Sequence, residues 1–514
     1  MQRLAGFLAS LLVLCAPALA QPAPAPSPPA AAAGARPTEG AGLPGRRLPP
    51  DVATEHVLDL PGRQLRFTAV AGSLPLVDSG GTVQAEIGYV SYTRPGFEPG
   101  SRPVTFAVNG GPGASSAYLH LLVAGPWRLP LDGRTISPSA PISLGPNAET
   151  WLDFTDLVFI DPVDTGYSRA AGSADEQRDR YFTIEGDVTT LASVISRWLR
   201  ANDRLASPKF FMGESYGGFR GPLVVEKLQT ELGIGFSGAV LVSPVLDFGW
   251  LGQGRHEPLE FAARLPSLAA GKRERAGPIT REALADAERY AAGEYLTDLM
   301  RGVRDREAVD RVSARVAELS GLDPDLVRRR GGRLDAATVQ RELDKATGQV
   351  ASAYDTGVVT FDVDPTSPRT EGPDAVLTAM TSPLSSAIVD HLWRRLGWRV
   401  PNQRYELLNG SVNGRWRYGR GRRPPQAVDE LKGIVALDPA FRLLVVHGLT
   451  DLVTPYFASE LILRQVPAYG DGERVALRVY PGGHMFYSRD ASRAAFRADG
   501  EAMVRRALEA RGRE

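Results

Sequence analysis

Phe210-Phe211-Met212-Gly213-Glu214-Ser215-Tyr216-Gly217-Gly218 is a short apolar run that passes through a glycine to a serine and leaves through two more glycines. The residues beyond it, Gly221-Pro222-Leu223-Val224-Val225-Glu226-Lys227-Leu228, read as a helix. When a strand turns into a helix within so few residues, the positions two before and two after the apex must be small. Gly213 and Gly217 meet that demand around Ser215. The bland reading of G-x-S-x-G is a glycine-rich turn that closes a strand–helix unit. The strand before and the helix after sharpen it to a nucleophile elbow, which lifts a serine hydroxyl above the end of a sheet.

Working outward, the same pattern recurs. Val104-Thr105-Phe106-Ala107-Val108 ends in Asn109-Gly110-Gly111-Pro112-Gly113. Leu157–Ile160, Gly238–Val242, Leu443–Val446 and Val475–Tyr480 are further short apolar runs, each ending in polar residues, proline or glycine. Continuous apolar runs of this length are the mark of strands buried on both faces of a parallel sheet. Open α/β sheets place their sites at the carboxyl ends of such strands. Residues 52–94 differ: their short alternating runs, such as Gln64–Val70, predict antiparallel strands. Between about 251 and 435 charged helical stretches dominate, for example 281–289, and predict a largely helical insertion over the sheet's active edge. The expected fold class is therefore α/β, a mostly parallel central sheet with antiparallel N-terminal strands and a helical cap.

A serine needs a base. The six histidines are His56, His120, His256, His391, His447 and His484. His484, in Pro481-Gly482-Gly483-His484-Met485, stands just past the last strand-like run. His56 lies before the sheet, His256 and His391 lie in the insertion, and His120 reads as a packing residue on a helix. The acid must fall between the serine and the base, past a late strand, if the chain order is Ser, acid, His. Asp451, in Gly448-Leu449-Thr450-Asp451-Leu452-Val453-Thr454-Pro455, fits and would hold the imidazole tautomer. Its bland reading is a loop-capping carboxylate. His447 is the rival base, but it precedes Asp451. Acyl transfer also needs donors for an oxyanion. The turn Asn109–Gly113 offers exposed backbone N–H groups, and the N–H of Tyr216 would be a second donor; the alternative is an ordinary Gly-Pro turn.

The chain has 514 residues, 43% of them hydrophobic and 23% charged, which excludes wholesale disorder. Lys+Arg and Asp+Glu are both 59, so there is no basic surplus of the kind nucleic-acid binding requires. The one cysteine, Cys15, sits in an apolar stretch that follows Arg3 and precedes Ala18-Leu19-Ala20. That is the anatomy of a secretory signal peptide cleaved after Ala20. The apolar run is too short for a membrane span, and a lipid-modified Cys15 is disfavoured by Leu14 before it. A chain starting at Gln21 would have no disulfide and no cysteine-based metal site, and would be exported to a periplasm or beyond. The expected organisation is a signal peptide over 1–20, a Pro/Ala-rich tether over 21–50, sheet core over 51–250 and 436–514, and the helical cap over 251–435. No metal or cofactor is expected.

Asn109-Gly110-Gly111-Pro112-Gly113-Ala114-Ser115-Ser116 together with Gly213–Gly218 resembles the serine carboxypeptidase family of α/β-hydrolases. Trp151–Ser168, Asp451 with Pro455, and Gly483-His484-Met485 are similar to further segments of that family, and the likeness runs in order over roughly residues 51–510. The resemblance implies a Ser215–Asp451–His484 triad and an oxyanion hole from the N–H groups of Gly111 and Tyr216. It also implies that Asn109 and Glu214 bind the free C-terminal carboxylate of a peptide substrate. The chain departs from the family's pattern at three places. Ala114 stands where eukaryotic members have cysteine, Ala107 where they have tryptophan, and Val123 where they have a second glutamate that pairs with the one beside the serine. Half of the implied carboxylate-recognition network is thus missing. The leading reading is an exported serine exopeptidase of bacterial type. An esterase or acyltransferase on the same scaffold remains open, as does a non-catalytic binding protein that keeps the fold. Oligomeric state is not legible.

Overall fold

The structure is a computed structural model that describes residues 45–512 apart from 99, 132–136, 140–142, 253, 255, 368, 420, 422 and 471. The expected signal peptide, Cys15 and most of the 21–50 tether lie outside the described residues.

Nine strands form the path of one sheet. They are β1 (Val52–Leu60), β2 (Arg63–Val77), β3 (Val83–Thr93), β4 (Val104–Val108), β5 (Asp156–Ile160), β6 (Lys209–Glu214), β7 (Gly238–Val242), β8 (Arg442–Gly448) and β9 (Val475–Tyr480). Their spatial order is β1-β2-β3-β5-β4-β6-β7-β8-β9. β1, β2 and β3 pair antiparallel, and β3 meets β5 antiparallel. From β5 onward every neighbour is parallel. This is the α/β-hydrolase fold. The chain changes direction across the sheet between β4 and β5, so the loops after β4 and β6 lie side by side, as binding sites in open α/β sheets require.

The sequence runs explain the layers. Every residue of β4, β5, β6 and β7 is buried. Alternate residues face opposite sides. Phe106, Val158, Phe211, Leu241 and Val445 face a core shared with helices α1 (Ile184–Ala201) and α2 (Tyr216–Glu231). Ala107, Phe159, Met212, Val242 and Val446 face the other core. The helical part between β7 and β8 carries a third core. Helices α3 (Pro258–Glu274) and α4 (Arg306–Ser320) pack there against Leu449, Leu452, Tyr456 and Phe457, the segment that follows β8. The insertion is therefore built onto the loop that holds Asp451. The 281–289 stretch, expected as one helix, is a 3₁₀ turn over Arg281–Leu284 followed by a short α-helix over Ala285–Tyr290. The insertion also contains a small antiparallel hairpin, Gln349–Ala351 with Val359–Phe361.

His120 lies on a wide helical turn, Leu119–Ala124, in which the Gly125 N–H reaches back to the His120 carbonyl at 3.0 Å. The sequence placed His120 and His391 in unrelated parts of the chain. The fold brings them together in the core. The Tyr92 hydroxyl is 2.7 Å from His120 Nε2 and 2.8 Å from His391 Nε2.

Candidate active site

Ser215 sits between the end of β6 and the start of α2 with φ 59° and ψ −119°. A non-glycine residue held there stores roughly 1–3 kcal/mol of backbone strain, which surrounding contacts must offset. Those contacts explain the two small residues. A Cβ on Gly213 would lie 2.1 Å from the Gly217 carbonyl oxygen, and one on Gly217 would lie 2.4 Å from the Val108 carbonyl oxygen. The Ser215 N–H donates to the Val242 carbonyl at 2.9 Å, which ties the apex to the neighbouring strand. Glu214 beside it is buried, whereas Ser215 is only half-buried.

The Asn109–Gly113 turn lies directly against this elbow. A Cβ on Gly110 would be 2.5 Å from both the Tyr216 nitrogen and the Glu214 carbonyl oxygen. Gly111 has φ +100°, a conformation that favours glycine, and the bond to Pro112 is cis. Tyr216 opens α2, so its N–H has no acceptor in a preceding helical turn. The Asn109 carbonyl accepts from buried Arg220 of α2, whose guanidinium also donates to Asp187 at 2.8 Å. The turn is thus fixed from below by a buried ion pair.

His484 follows β9 and Asp451 follows β8. His484 Nδ1 is 2.8 Å from Asp451 Oδ2. The carboxylate is held by the Val453 N–H at 2.8 Å, the Thr454 N–H at 3.1 Å and the Thr454 hydroxyl at 2.7 Å. Asp451 accepts only, so this network assigns the His484 proton to Nδ1 and leaves Nε2 free to accept. Burial acts to lower the His484 pKa, but the Asp451 charge, their hydrogen bond and the Glu214 charge outweigh it, and the net is a raised value. Burial acts to raise Asp451, and the imidazolium and hydrogen bonds outweigh it, so the carboxyl is held below its ordinary range. Among the described residues no hydrogen bond joins Ser215 to His484. Such contacts commonly tighten only when substrate is bound.

Glu214 accepts from Asn109 Nδ2 at 2.6 Å and from the Tyr487 hydroxyl at 2.7 Å. Both partners are neutral donors. Burial pushes the Glu214 pKa up, His484 and the two hydrogen bonds oppose it, and the net remains raised. Tyr487 comes three residues after His484, so this contact also latches the base loop to the residue before Ser215. The Tyr354 ring stands edge-on to the His484 ring at 5.4 Å, and its carbonyl accepts the His484 N–H at 2.5 Å.

All seven residues singled out in the sequence, Asn109, Gly111, Glu214, Ser215, Tyr216, Asp451 and His484, therefore gather on one end of the sheet. Thr454, Tyr487 and Tyr354 were not singled out. Thr454 had a local signal, because a hydroxyl three residues after a carboxylate can cap it. Tyr354 had none, since it comes from the insertion. The rival base, His447, is buried in β8 with Nε2 2.8 Å from the hydroxyl of Ser459. Ser459 lies buried within the helix Tyr456–Leu463, with no elbow, and burial holds the His447 pKa down at about 4. That pair is structural. Among the described residues no group of three or more His, Cys, Asp or Glu side chains is placed to hold a metal ion. No described helix is long and apolar enough to cross a membrane.

Residues 65–247 match the family described as serine carboxypeptidase. Over these residues the chain is similar to that family. The matched stretch contains the Asn109–Gly113 turn and the Ser215 elbow, while Asp451 and His484 lie beyond it. Curated relatives include the pheromone-processing carboxypeptidase KEX1 of Yarrowia lipolytica, 30% identical over 154 residues, 29% of this chain and 22% of that protein. Serine carboxypeptidase-like 26 of Arabidopsis thaliana is 27% identical over 205 residues, 38% of this chain and 41% of that protein. The chain spans well under half the length of these curated relatives. Among solved structures, the proline iminopeptidase of Mycobacterium smegmatis aligns over 86% of this chain and 99% of its own, at 13% identity and a TM-score of 0.39.

Proposed function

We propose that the protein is a serine-type carboxypeptidase that cleaves peptides through an acyl-enzyme on Ser215. The observation that carries this reading is that a strained serine elbow stands at the same end of the sheet as His484, whose Nδ1 is 2.8 Å from a buried, fully hydrogen-bonded Asp451. As Ser215 Oγ attacks the scissile carbonyl carbon, its proton passes to His484 Nε2. The carbonyl oxygen gains the electron pair and takes hydrogen bonds from the N–H groups of Gly111 and Tyr216. The C–N bond then breaks, and the proton on Nε2 goes to the leaving amine. His484 next takes a proton from water, which attacks the acyl-enzyme, and the proton returns to Ser215 Oγ as the acid leaves.

Specificity for a free C-terminus rests on Glu214 and Asn109. Asn109 Nδ2 is a neutral donor at every pH. Glu214 donates to a carboxylate only when protonated, and its burial favours that form. The burial of Glu214 against the neutral donors Asn109 and Tyr487 supports this role even though Val123 replaces the second carboxyl. Export is part of the same proposal, supported by the sequence of residues 1–20.

A panel of peptides with free and amidated C-termini tests the reading. Release of single C-terminal residues from the free acids, with slower attack on the amides, is expected. Equal rates on both would remove the role of Glu214 and Asn109 in reading a free C-terminus, and turnover confined to esters would instead favour the esterase or acyltransferase reading.

A further inference from the structure

Segment 352–357 of the insertion touches both loops that carry the acid and the base. The Ala353 carbonyl accepts the Leu452 N–H at 3.0 Å, and the Thr356 N–H donates to the Thr450 carbonyl at 3.3 Å. The Tyr354 carbonyl accepts the His484 N–H, and a Cβ on Gly483 would lie 1.9 Å from that carbonyl oxygen. Asp355, buried at 5% exposure, sits between the two loops.

Each oxygen of Asp355 takes two donors. Oδ1 accepts from the Thr450 hydroxyl at 2.7 Å and the Gly357 N–H at 2.9 Å. Oδ2 accepts from the Gly483 N–H at 3.1 Å and Arg489 Nη2 at 2.9 Å. Thr450 is the residue before Asp451, and Gly483 is the residue before His484. One carboxylate therefore grips the position next to the acid and the position next to the base. Arg489 lies beyond His484 on the same loop and also pairs with Glu274 of α3, so the grip is anchored in the insertion.

We propose that Asp355 is a positioning residue that sets the spacing of Asp451 and His484, and that through it the helical insertion holds the catalytic loops in register. The inference rests on the triad reading above. Asp355 touches neither substrate nor the reacting atoms; it acts through Thr450 and Gly483. Only a group with two acceptor atoms and no donor fits four surrounding donors. In Asp355→Asn the amide nitrogen must face at least one backbone N–H, that of Gly357 or of Gly483, so one side of the grip opens at constant volume. Arg489 keeps Glu274 as its partner.

The test measures kcat, KM, active-site titre and the rate at which a fluorophosphonate labels Ser215, in wild type, Asp355→Asn and Thr450→Val. Small misplacement of catalytic groups costs up to about 100-fold, so in Asp355→Asn both kcat and the labelling rate should fall roughly 10- to 100-fold per titrated site while KM stays within about threefold. Thr450→Val, which removes one donor without disturbing a charge, should show the same pattern to a smaller degree. A wild-type rate per titrated site in either folded variant overturns the proposal. So does a loss explained wholly by a lower titre, which marks a role in folding alone. If Asp355→Asn does not fold, Thr450→Val decides by the same criteria. A wild-type protein that is not labelled at Ser215 defeats the triad reading itself. Labelling of wild type and Asp355→Asn at equal rates defeats only the positioning role.

Discussion

His484 and the His120–His391 pair are all buried, yet their environments drive them in opposite directions. His484 is paired with a carboxylate, Asp451, and its pKa is raised. His120 and His391 share a neutral partner, the Tyr92 hydroxyl. Burial pulls His120 down to about 3, and burial together with the nearby His120, Arg395 and His56 pulls His391 well below its ordinary value. Burial is the first cause in each case, and it always disfavours the imidazolium. Whether an anion faces the ring decides the outcome. The comparison separates a histidine whose protonated form is favoured by a facing carboxylate from histidines held neutral in a core.

The largest expected effect breaks the reactive side. Ser215→Ala and His484→Ala should each lower kcat by on the order of a millionfold, with melting temperature little changed. Asp451→Asn should cost less, about 10⁴-fold, because the amide can present its N–H to Nδ1 and stabilise the wrong tautomer. Retention of full turnover by folded Ser215→Ala would remove the assignment.

The neutral side is sharpened by acid. His120 and His391 have folded values below the unfolded value near 6.5, so below that pH the unfolded chain binds protons that the folded chain refuses. Their stability contribution is complete above pH 6.5 and is lost as pH falls toward their folded values. Each would steepen the slope of stability against pH by up to about 1.4 kcal/mol per pH unit. Burial raises Asp161 to about 6, which acts in the reverse sense, so the contrast is best read as a difference between proteins. Urea unfolding from pH 7 to 4 should show a shallower acid loss in His120→Gln/His391→Gln than in wild type; parallel curves would contradict the account. Tyr92→Phe leaves both rings without their shared partner and should destabilise by about 1–3 kcal/mol, with kcat per active site preserved.

The smallest expected effect concerns Glu214. As pH rises, its ionisation sets a negative charge against a substrate carboxylate, so the ratio of kcat/KM for free-acid peptides to that for amidated ones should fall. Removing a proton from His484 helps both substrates alike and cancels in the ratio. Glu214→Gln should flatten it. A ratio independent of pH in wild type would leave Glu214 as a structural residue of the elbow.

The sequence made the elbow, the Gly-rich turn and the acid and base loops legible because each depends on local chemistry. Gly213 and Gly217 are needed where backbones approach closely, and Asp451 and His484 follow apolar strands. The strand runs were legible for the same reason, since burial on both faces leaves continuous apolar segments. What escaped was set by long-range packing. Nothing near Tyr354 or Asp355 signals that they meet loops about 100 to 130 residues away, and nothing near His391 signals Tyr92. Val123 was legible as a missing carboxyl, but not the Tyr487 hydroxyl that Glu214 meets from beyond His484.

The central claim is that Ser215 is a nucleophile activated by a carboxylate-paired His484. Incubation with a fluorophosphonate, followed by peptide mass mapping, tests it most directly. The account predicts one covalent adduct, on Ser215, absent from Ser215→Ala and formed far more slowly in His484→Ala. An unlabelled protein, or an adduct on Ser459 beside His447, would contradict it.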